Sequence, residues 1–442
     1  MKLTRVCMTA TVCSLMLWTA ACSSSTGTGE NGGTAPADTG KTTVPQVSTE
    51  PVTLKLAINI GWLGPDEFQK YFEEPVKKRY PHLSFEILDM TKPELALDKL
   101  LASGNIPDLV MTASPIIYRF MGTGLEENIE PLIKKFNLDL SKLDPVAVES
   151  VKTASLQDHL IGLPWTMHFS GLYYNKDIFD KFGVAYPKDG MTWEQVRELA
   201  KSVTRIDGGV QYRGLEPDKS TRVASVLSYG FVDPKTEKAT VNNDSWKKIF
   251  ELLKSIYDIP GNNQVRLAGG GSDQFIKERN LAMFATNNIL PNLKVAQDLN
   301  WDLAQYPSFS ERPNVGMQTD AWILHVTAQS KYKDQAFQVI ATILSDEVQT
   351  EIAKNARLPV LKGKSIEQSF GTNLPYLQGK NVQAAFKSSA AKALPVSKYD
   401  SYAEGLMSTN ITPVVKGEKD INTILRESEE AINKYIETNR PK

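Results

Sequence analysis

Cysteine is almost absent from this chain. Its three cysteines, Cys7, Cys13 and Cys22, all lie within the first 22 of 442 residues. The remainder of the chain therefore has no thiol, which excludes a disulfide, a cysteine metal site and a cysteine nucleophile there. This distribution fits an exported protein that uses no redox chemistry.

Histidine is scarce too, and the common catalytic motifs are missing. The four histidines are His82, His159, His168 and His325, and none forms the H-E-x-x-H or H-x-H pairing of zinc sites. The chain has no G-x-S-x-G nucleophile elbow and no G-x-x-x-x-G-K-[ST] phosphate loop. With 50 Lys and Arg against 51 Asp and Glu, there is no basic excess for nucleic acid. We therefore expect no cofactor, no resident metal and no enzymatic activity.

The N-terminal residues have the pattern of a targeting segment. Lys2 and Arg5 precede an apolar run that is shorter than the roughly 20 residues a spanning helix needs, so residues 1–21 are predicted to be a signal peptide. Thr19-Ala20-Ala21-Cys22 is similar to a lipobox, although Thr19 stands where that motif usually has Leu. Cys22 would then be lipidated; plain secretion after Ala21 is the alternative.

Residues 22–50 are predicted to be the lipidated cysteine followed by a flexible linker. More than half of residues 23–50 are Ser, Thr or Gly, and no apolar periodicity occurs among them. Such a composition cannot form a packed core. A lipid anchor with a flexible tether would hold the protein on the outer face of the cell membrane.

From Val52 onward the pattern indicates alternating strands and helices. Val52–Ile60, Phe85–Leu88 and Asp108–Met111 are predicted strands, each followed by a helical segment, which favours a parallel sheet. Ligands of such sheets bind at the carboxyl ends of the strands. The residues expected at that edge are Trp62, Thr112 and Ser114.

A second region in which strands and helices are predicted begins with residues 162–179. Leu172–Tyr174 is predicted to be a strand, and Asn175 to begin a helix that ends at Gly183. Thr192-Trp193-Glu194-Gln195 has the spacing of a capping box and predicts the start of another helix.

These motifs, in this order, resemble a known family. The segments are GLPW, LYYNKDIFDKFGV, TWEQVRELAKSVT, DLVMTASP, FIKERNLAMFATNN, AWILHVTAQSKYKDQAFQVIATIL and RLPV. Together they resemble the extracellular solute-binding proteins, the ligand receptors of ABC importers, in the branch that includes maltose-binding protein. The resemblance spans roughly residues 52–436.

The resemblance implies a two-lobed α/β fold of the periplasmic-binding-protein type (type II), in which each lobe is a mixed sheet flanked by helices. Lobe 1 would comprise residues 51–164 and 307–347, and lobe 2 residues 165–306 and 348–442. Hinge crossings are expected near Pro164, Tyr306 and Ser345.

It also implies a set of ligand contacts. The contacts from the first lobe would be Trp62, Thr112 and Ser114, and those near the hinge would be Trp165 and His168. The contacts from the second lobe would be Tyr229, Phe231, Asn287 and Tyr402. Asp320 and Trp322 would lie near the floor of the cleft. Aromatic rings suit the C–H face of a sugar, and Asp, Asn and His suit its hydroxyls. For each Trp the alternative is a place in the core. Asn287 stands where some sugar binders have an aromatic residue, which leaves the sugar's identity open.

The resemblance further implies a monomeric lipoprotein that captures a solute by hinge closure. The solute expected first is a mono- or oligosaccharide. The protein would pass it to the transmembrane subunits of an ABC permease. One alternative is an exported carbohydrate-active enzyme, for which only Asp320 and His168 are positioned as acid or base. Another is a receptor or scaffold that does not take part in transport.

Overall fold

A computed structural model of the chain describes residues 47–59, 61–265, 270–296 and 298–440. The predicted signal peptide, Cys22 and linker residues 23–46 lie outside these residues, so those assignments stay predictions. In the ranges that are described, no helix is both long enough and apolar enough to cross a membrane.

The strands follow one another along the whole of the described chain. They are β1 (Val52–Ile58), β2 (Leu83–Asp89), β3 (Leu109–Ala113), β4 (Leu163–Met167), β5 (Ser170–Asn175), β6 (Arg205–Asp207), β7 (Val210–Glu216), β8 (Val232–Asp233), β9 (Lys238–Ala239), β10 (Leu281–Asn287), β11 (Trp301–Gln305), β12 (Val315–Gln318), β13 (Ala321–Val326), β14 (Leu358–Pro359) and β15 (Ser389–Ala391).

The α-helices are α1 (Pro65–Phe68), α2 (Glu74–Arg79), α3 (Leu97–Ala102), α4 (Glu130–Lys135), α5 (Pro145–Ser155), α6 (Lys176–Phe182), α7 (Trp193–Val203), α8 (Ser220–Ser225), α9 (Asp244–Tyr257), α10 (Gly270–Asp273), α11 (Leu290–Leu293), α12 (Lys333–Ile343), α13 (Asp346–Lys354), α14 (Lys364–Gln368), α15 (Asp400–Thr409), α16 (Ile411–Val415) and α17 (Ile421–Asn439). A π-helical turn (Gln69–Glu73) joins α1 to α2, and a 3-10 helix (Ser114–Arg119) follows β3.

Most of these strands form two mixed sheets. The first has the order β14-β4-β13-β3-β1-β2, and the second has the order β11-β5-β10-β7-β6. In the first sheet β1 is parallel to both β2 and β3, as the sequence pattern predicts, while β13 is antiparallel to β3 and β4. In the second sheet β10 is parallel to β7 and antiparallel to β5. Through β13 the chain thus returns to the first sheet, within the residues 307–347 that the resemblance assigns to lobe 1.

Local capping explains why the helices after β5 begin and end where the sequence predicts. The Asn175 side chain accepts a hydrogen bond from the backbone N–H of Asp177 at 3.0 Å, and Gly183 ends α6 with a φ of 64°. Thr192 and Gln195 form the reciprocal bonds of a capping box at the start of α7. These three predictions are confirmed.

Strand pairing differs from the predicted lobe boundaries at two places. The boundary after Pro164 assigns Trp165 to the second lobe, but the residues on both sides of it, Pro164 and Thr166, pair with β13 in the first sheet. The chain crosses to the second sheet only at His168 and Phe169, between β4 and β5. The cause is that hydrogen bonding to a strand 150 residues distant, and not local pattern, selects the sheet.

The predicted crossing near Ser345 is wrong. The Ser345 hydroxyl caps α13, and the chain then adds β14 to the edge of the first sheet, where Leu358 pairs with Met167. A strand of two residues has no periodicity that a sequence could reveal. The remaining boundaries of the two lobes stay predictions.

Candidate functional site

A cavity of about 800 Å³ lies between the two sheets. Its walls come from the carboxyl end of β3, from the crossing between β4 and β5, from α8 and from the start of α15. A second cavity of about 680 Å³ adjoins it beside the loop that follows β1. The two cavities share the wall residues Pro115, Ile116, His168 and Asp320.

Asp320 stands where the two cavities meet. It lies between β12 and β13, and its backbone carbonyl accepts the N–H of His168 at 3.1 Å. Its carboxylate Oδ1 is buried and has no hydrogen-bond partner among the described residues. Burial raises the pKa of this carboxyl, while His168 and Arg222 act in the opposite direction. Asp320 is therefore a hydrogen-bond acceptor that protein groups leave unused.

His168 shares this wall and is held in a neutral form. Burial lowers its pKa, an effect that the Asp320 carboxylate opposes. The imidazole ring lies 5.5 Å from the ring of Trp322 at an angle of 70°. A neutral imidazole offers one donor and one acceptor, which is what a hydroxyl-rich ligand can use.

Trp322 and Trp62 form an aromatic wall of the smaller cavity. Their ring centroids are 5.6 Å apart, and the Arg357 guanidinium lies 4.7 Å from the Trp322 ring centre. Arg357 is itself fixed by Glu67 through two hydrogen bonds of 2.6 Å, and it donates to the Trp62 carbonyl at 2.8 Å. The arginine thus orients both tryptophans.

Asn287 of the second sheet and Arg222 of α8 line the larger cavity. One terminal nitrogen of Arg222 donates to Asn287 Oδ1 at 3.0 Å and to Thr286 Oγ1 at 3.1 Å, and it forms an ion pair with Asp218. Asn287 ends β10, so the carboxyl end of a strand again supplies a cavity residue. Tyr229 and Phe231 line the same side.

The comparison with known proteins decides the family. A profile of the bacterial extracellular solute-binding proteins matches residues 76–367. The chain belongs to this family. A protein of Brucella abortus named as a binding protein is 24% identical over 314 residues, which cover 66% of this chain and 73% of that protein.

Solved structures show the same two-lobed fold. A sugar transporter of Rhizobium etli in an open conformation superposes with a TM-score of 0.70 at 19% identity, covering 86% of this chain and 99% of that one. An ABC substrate-binding protein of Listeria monocytogenes in complex with cycloalternan gives 0.65 at 20% identity, covering 88% of this chain and 100% of that one. This solute-binding protein thus has the mixed α/β, two-lobed architecture that its sequence predicts.

The fold brings most of the predicted contact residues to the cavities. Those that line one or both of them are Trp62, Ser114, His168, Tyr229, Phe231, Asn287, Asp320 and Trp322. The Ser114 hydroxyl, however, is already hydrogen-bonded within the protein. It donates to the Thr319 carbonyl at 3.3 Å and accepts from the Ala321 N–H at 3.1 Å. Contact between these residues and a solute stays a prediction.

Thr112 and Trp165 are buried in the core instead. The Thr112 hydroxyl lies 2.7 Å from Nε2 of His325, which is fully buried. Trp165 is fully buried, with its ring edge-on to Phe72 at 5.4 Å and to Trp322 at 5.8 Å. Both residues are missing from the described walls of the cavities. Neither side chain therefore lines a described cavity wall, and contact of either residue with a solute stays a prediction.

Tyr402 lies on the surface and is absent from the described walls of both cavities, so its contact role stays a prediction without support from its position. Its side chain is 37% exposed and stacks on Tyr435 of α17 with ring centroids 3.9 Å apart. The neighbouring Ser401 lines the larger cavity, and so does Glu404 one helical turn further on. A helix presents only part of its circumference to one cavity, and residue 402 falls outside that part.

Sequence reasoning missed the two arginines of the site. Arg357 lies within the RLPV segment that carries part of the family resemblance, and Arg222 follows Asp218 by four residues, the spacing of a helical ion pair. These local signals were available, but their placement on a cavity wall depends on partners about 65 and 290 residues away. Within the part of the chain that is described, no group of three or more His, Cys, Asp or Glu side chains could hold a metal ion.

Proposed function

We propose that this solute-binding protein captures a mono- or oligosaccharide between its lobes and delivers it to the permease of an ABC transporter, from a lipid anchor at Cys22. The observation that carries this proposal is the cavity of about 800 Å³ between the two sheets. Its volume falls within the roughly 300–1,000 Å³ of small-molecule sites. The fold likeness to a Listeria protein that binds cycloalternan supports a carbohydrate as the solute.

The chemistry of the walls suits a sugar. Tyr229 and Phe231 supply aromatic surface for the apolar C–H face. Asp320 accepts hydrogen bonds from hydroxyl groups, Arg222 donates them, and neutral His168 can do either. An alternation of donors and acceptors around aromatic rings is the pattern that a polyhydroxylated ring requires.

Capture would proceed by closure of the lobes. Arg222 and Asn287 belong to the second-sheet side, whereas Ser114 and Trp322 belong to the first. A ligand that touches both sides binds the closed arrangement more tightly than the open one, and its differential affinity sets how far the equilibrium moves. The chain crossing at His168 and Phe169 would act as one hinge.

A screen of carbohydrates, amino acids and polyamines by thermal unfolding tests the solute class. A compound at 100 times its Kd should stabilise the fold by about 2.7 kcal/mol. We expect a carbohydrate to give the largest shift, and the radius of gyration from small-angle scattering to fall when that carbohydrate saturates the protein. An amino acid giving the largest shift would refute the carbohydrate assignment. An unchanged radius at saturation, confirmed by calorimetry, would refute closure.

A further inference from the structure

The charges around the larger cavity do not balance. Its described walls carry three basic side chains, of which Arg222 is paired with Asp218 and Lys387 with Asp189, and Lys362 is exposed. Asp218 and Asp189 are absent from the described walls of this cavity. Arg222 and Lys387 are therefore each paired with a carboxylate that does not line the cavity.

The described walls of this cavity also carry five carboxylates, Asp144, Asp320, Glu367, Asp400 and Glu404. Asp144 accepts the N–H groups of Val146 and Ala147 at the start of α5. Asp320 has no hydrogen bond or ion pair from its side chain to any described residue, although its Oδ1 is buried. Asp400, at the start of α15, accepts the Ser397 N–H at 2.8 Å, and the backbone of Val232 also lies close enough to lower its pKa. Glu404 lies on the same wall, and its ion-pair partner Lys219 is 3.8 Å distant.

Glu404 acts on both Asp320 and Asp400. Burial raises the pKa of Asp320 and raises that of Asp400 to about 7, and repulsion from Glu404 adds to the rise in both. Asp320 belongs to the first-sheet side, while α15 packs on α8 and α17 of the second. A buried carboxylate oxygen without a partner is costly, so the Oδ1 atom of Asp320 requires an explanation, and a ligand that donates to it is one.

We propose that the solute of this protein carries a protonated amine, as an amino sugar does, and that Asp320 on one side and the Asp400–Glu404 edge of α15 on the other bind this amine. The proposal rests on the proposed function, because it names the class of carbohydrate that the same cavity takes. An ammonium group donates three hydrogen bonds and cancels the excess negative charge. Tyr229, Phe231 and Phe386 on the same wall offer ring faces for a cation.

Calorimetric titration with matched sugars tests this proposal. The probes are glucose, glucosamine and N-acetylglucosamine, the corresponding galactose series, and cellobiose, chitobiose and N,N′-diacetylchitobiose, together with spermidine and arginine. In each series only the free-amine member is cationic. We expect that member to bind at least about tenfold more tightly than its hydroxyl and N-acetyl counterparts, and this advantage to shrink in high salt.

Two variants connect the preference with the named residues. Asp320→Asn keeps the size of the side chain and removes its charge, so the amine member should lose most or all of its roughly tenfold advantage in affinity. Asp400→Asn, which retains the oxygen that accepts the Ser397 N–H, should reduce it by a smaller factor. The matched control Asp158→Asn, whose carboxylate is 98% exposed on the surface, should leave the preference unchanged.

The outcomes distinguish a failure of the amine proposal from a failure of the proposed carbohydrate-binding function. If a neutral or N-acetylated sugar binds as tightly as its amine counterpart, the amine proposal is refuted while carbohydrate binding stands. If spermidine or arginine binds, with the same loss in Asp320→Asn, and no sugar does, the amine site is supported and the carbohydrate assignment fails. If no amine in the panel binds, the proposal is overturned.

Discussion

The Arg357 guanidinium lies 4.7 Å from the ring centre of Trp322 while Glu67 holds it through two hydrogen bonds of 2.6 Å. The same guanidinium donates to the Trp62 carbonyl. This relationship connects three parts of the first lobe, namely the loop after β1, the strand β13 and the segment before β14. It keeps an aromatic wall rigid at a place where a ligand would otherwise have to order it at an entropic cost.

Arg357→Lys should weaken solute binding by about tenfold. Lysine cannot form the bidentate bond to Glu67, and hydrogen bonds to charged groups contribute about 1.5–3 kcal/mol each. Calorimetric titration with the tightest sugar of the panel measures the loss, and a shift in tryptophan emission would report that Trp322 and Trp62 have moved. Arg426→Lys, at an exposed pair on α17, is the control. Unchanged affinity and unchanged emission would show that Arg357 does not position the wall.

Trp165 and Trp322 should respond differently to truncation, because the first is fully buried and the second lines a cavity. Trp165→Ala should lower the free energy of unfolding by about 3–5 kcal/mol. Trp322→Ala should lower it less and raise the Kd by at least about tenfold. Urea denaturation without ligand and calorimetric titration separate the two effects. A larger loss of affinity than of stability in Trp165→Ala would return that residue to the binding site.

Stability should depend on pH through His325. Burial lowers its pKa to about 4 in the folded protein, against about 6.5 when unfolded. The unfolded chain therefore binds more protons between these values, so the contribution of His325 is full above pH 6.5 and is lost as the pH falls toward 4. The slope from this residue should approach about 1.4 kcal/mol per pH unit.

Urea denaturation between pH 7 and pH 5 and an NMR titration of the imidazole check this expectation. Nδ1 of His325 lies 2.9 Å from the Ile161 carbonyl, to which it donates, so Nε2 accepts from Thr112. Thr112→Val should therefore destabilise the fold by about 1–3 kcal/mol, because it leaves a buried acceptor unsatisfied. An imidazole that titrates near 6.5 in the folded protein would contradict this account.

Tyr402→Ala should leave solute affinity unchanged. Its ring stacks on Tyr435 at the surface of α15 and α17, away from the cavity wall formed by Ser401 and Glu404. Loss of the stacked pair should cost about 0.5–1.5 kcal/mol of folding stability. Calorimetric titration of the variant with the tightest sugar of the panel tests this expectation. A tenfold loss of affinity would show that Tyr402 contributes to solute binding.

Cys22→Ser should release the protein from membranes or leave it unprocessed. A lipid anchor contributes about 0.8 kcal/mol per buried CH₂ group, and two or more chains are needed for stable attachment. Fractionation of cells that express wild type or variant, with mass analysis of the mature N-terminus, measures the effect. A variant that stays in the membrane fraction with its lipid would rule out Cys22 as the attachment site.

Local sequence determined the elements of this protein and the family to which it belongs. Asn175, Gly183 and Thr192 set the ends of α6 and α7 through capping bonds that span at most three residues, so their positions follow from spacing alone. The parallel arrangement of β1, β2 and β3 followed from the alternation of strands and helices. The carboxyl end of β3 was expected to meet the ligand edge of the sheet, and Ser114, which follows it, does line the larger cavity.

Tertiary structure alone decided which face of each strand meets the cavities and which partners each side chain finds. Thr112 and Ser114 are two residues apart, yet Thr112 is committed to His325, 213 positions away, while Ser114 reaches the cavity wall. Trp165 packs under Trp322 because β4 pairs with β13, and Arg357 reaches Glu67 across 290 positions. Periodicity reports which side chains share a face, but hydrogen-bond register with distant strands decides whether that face meets packed helices or an open cavity.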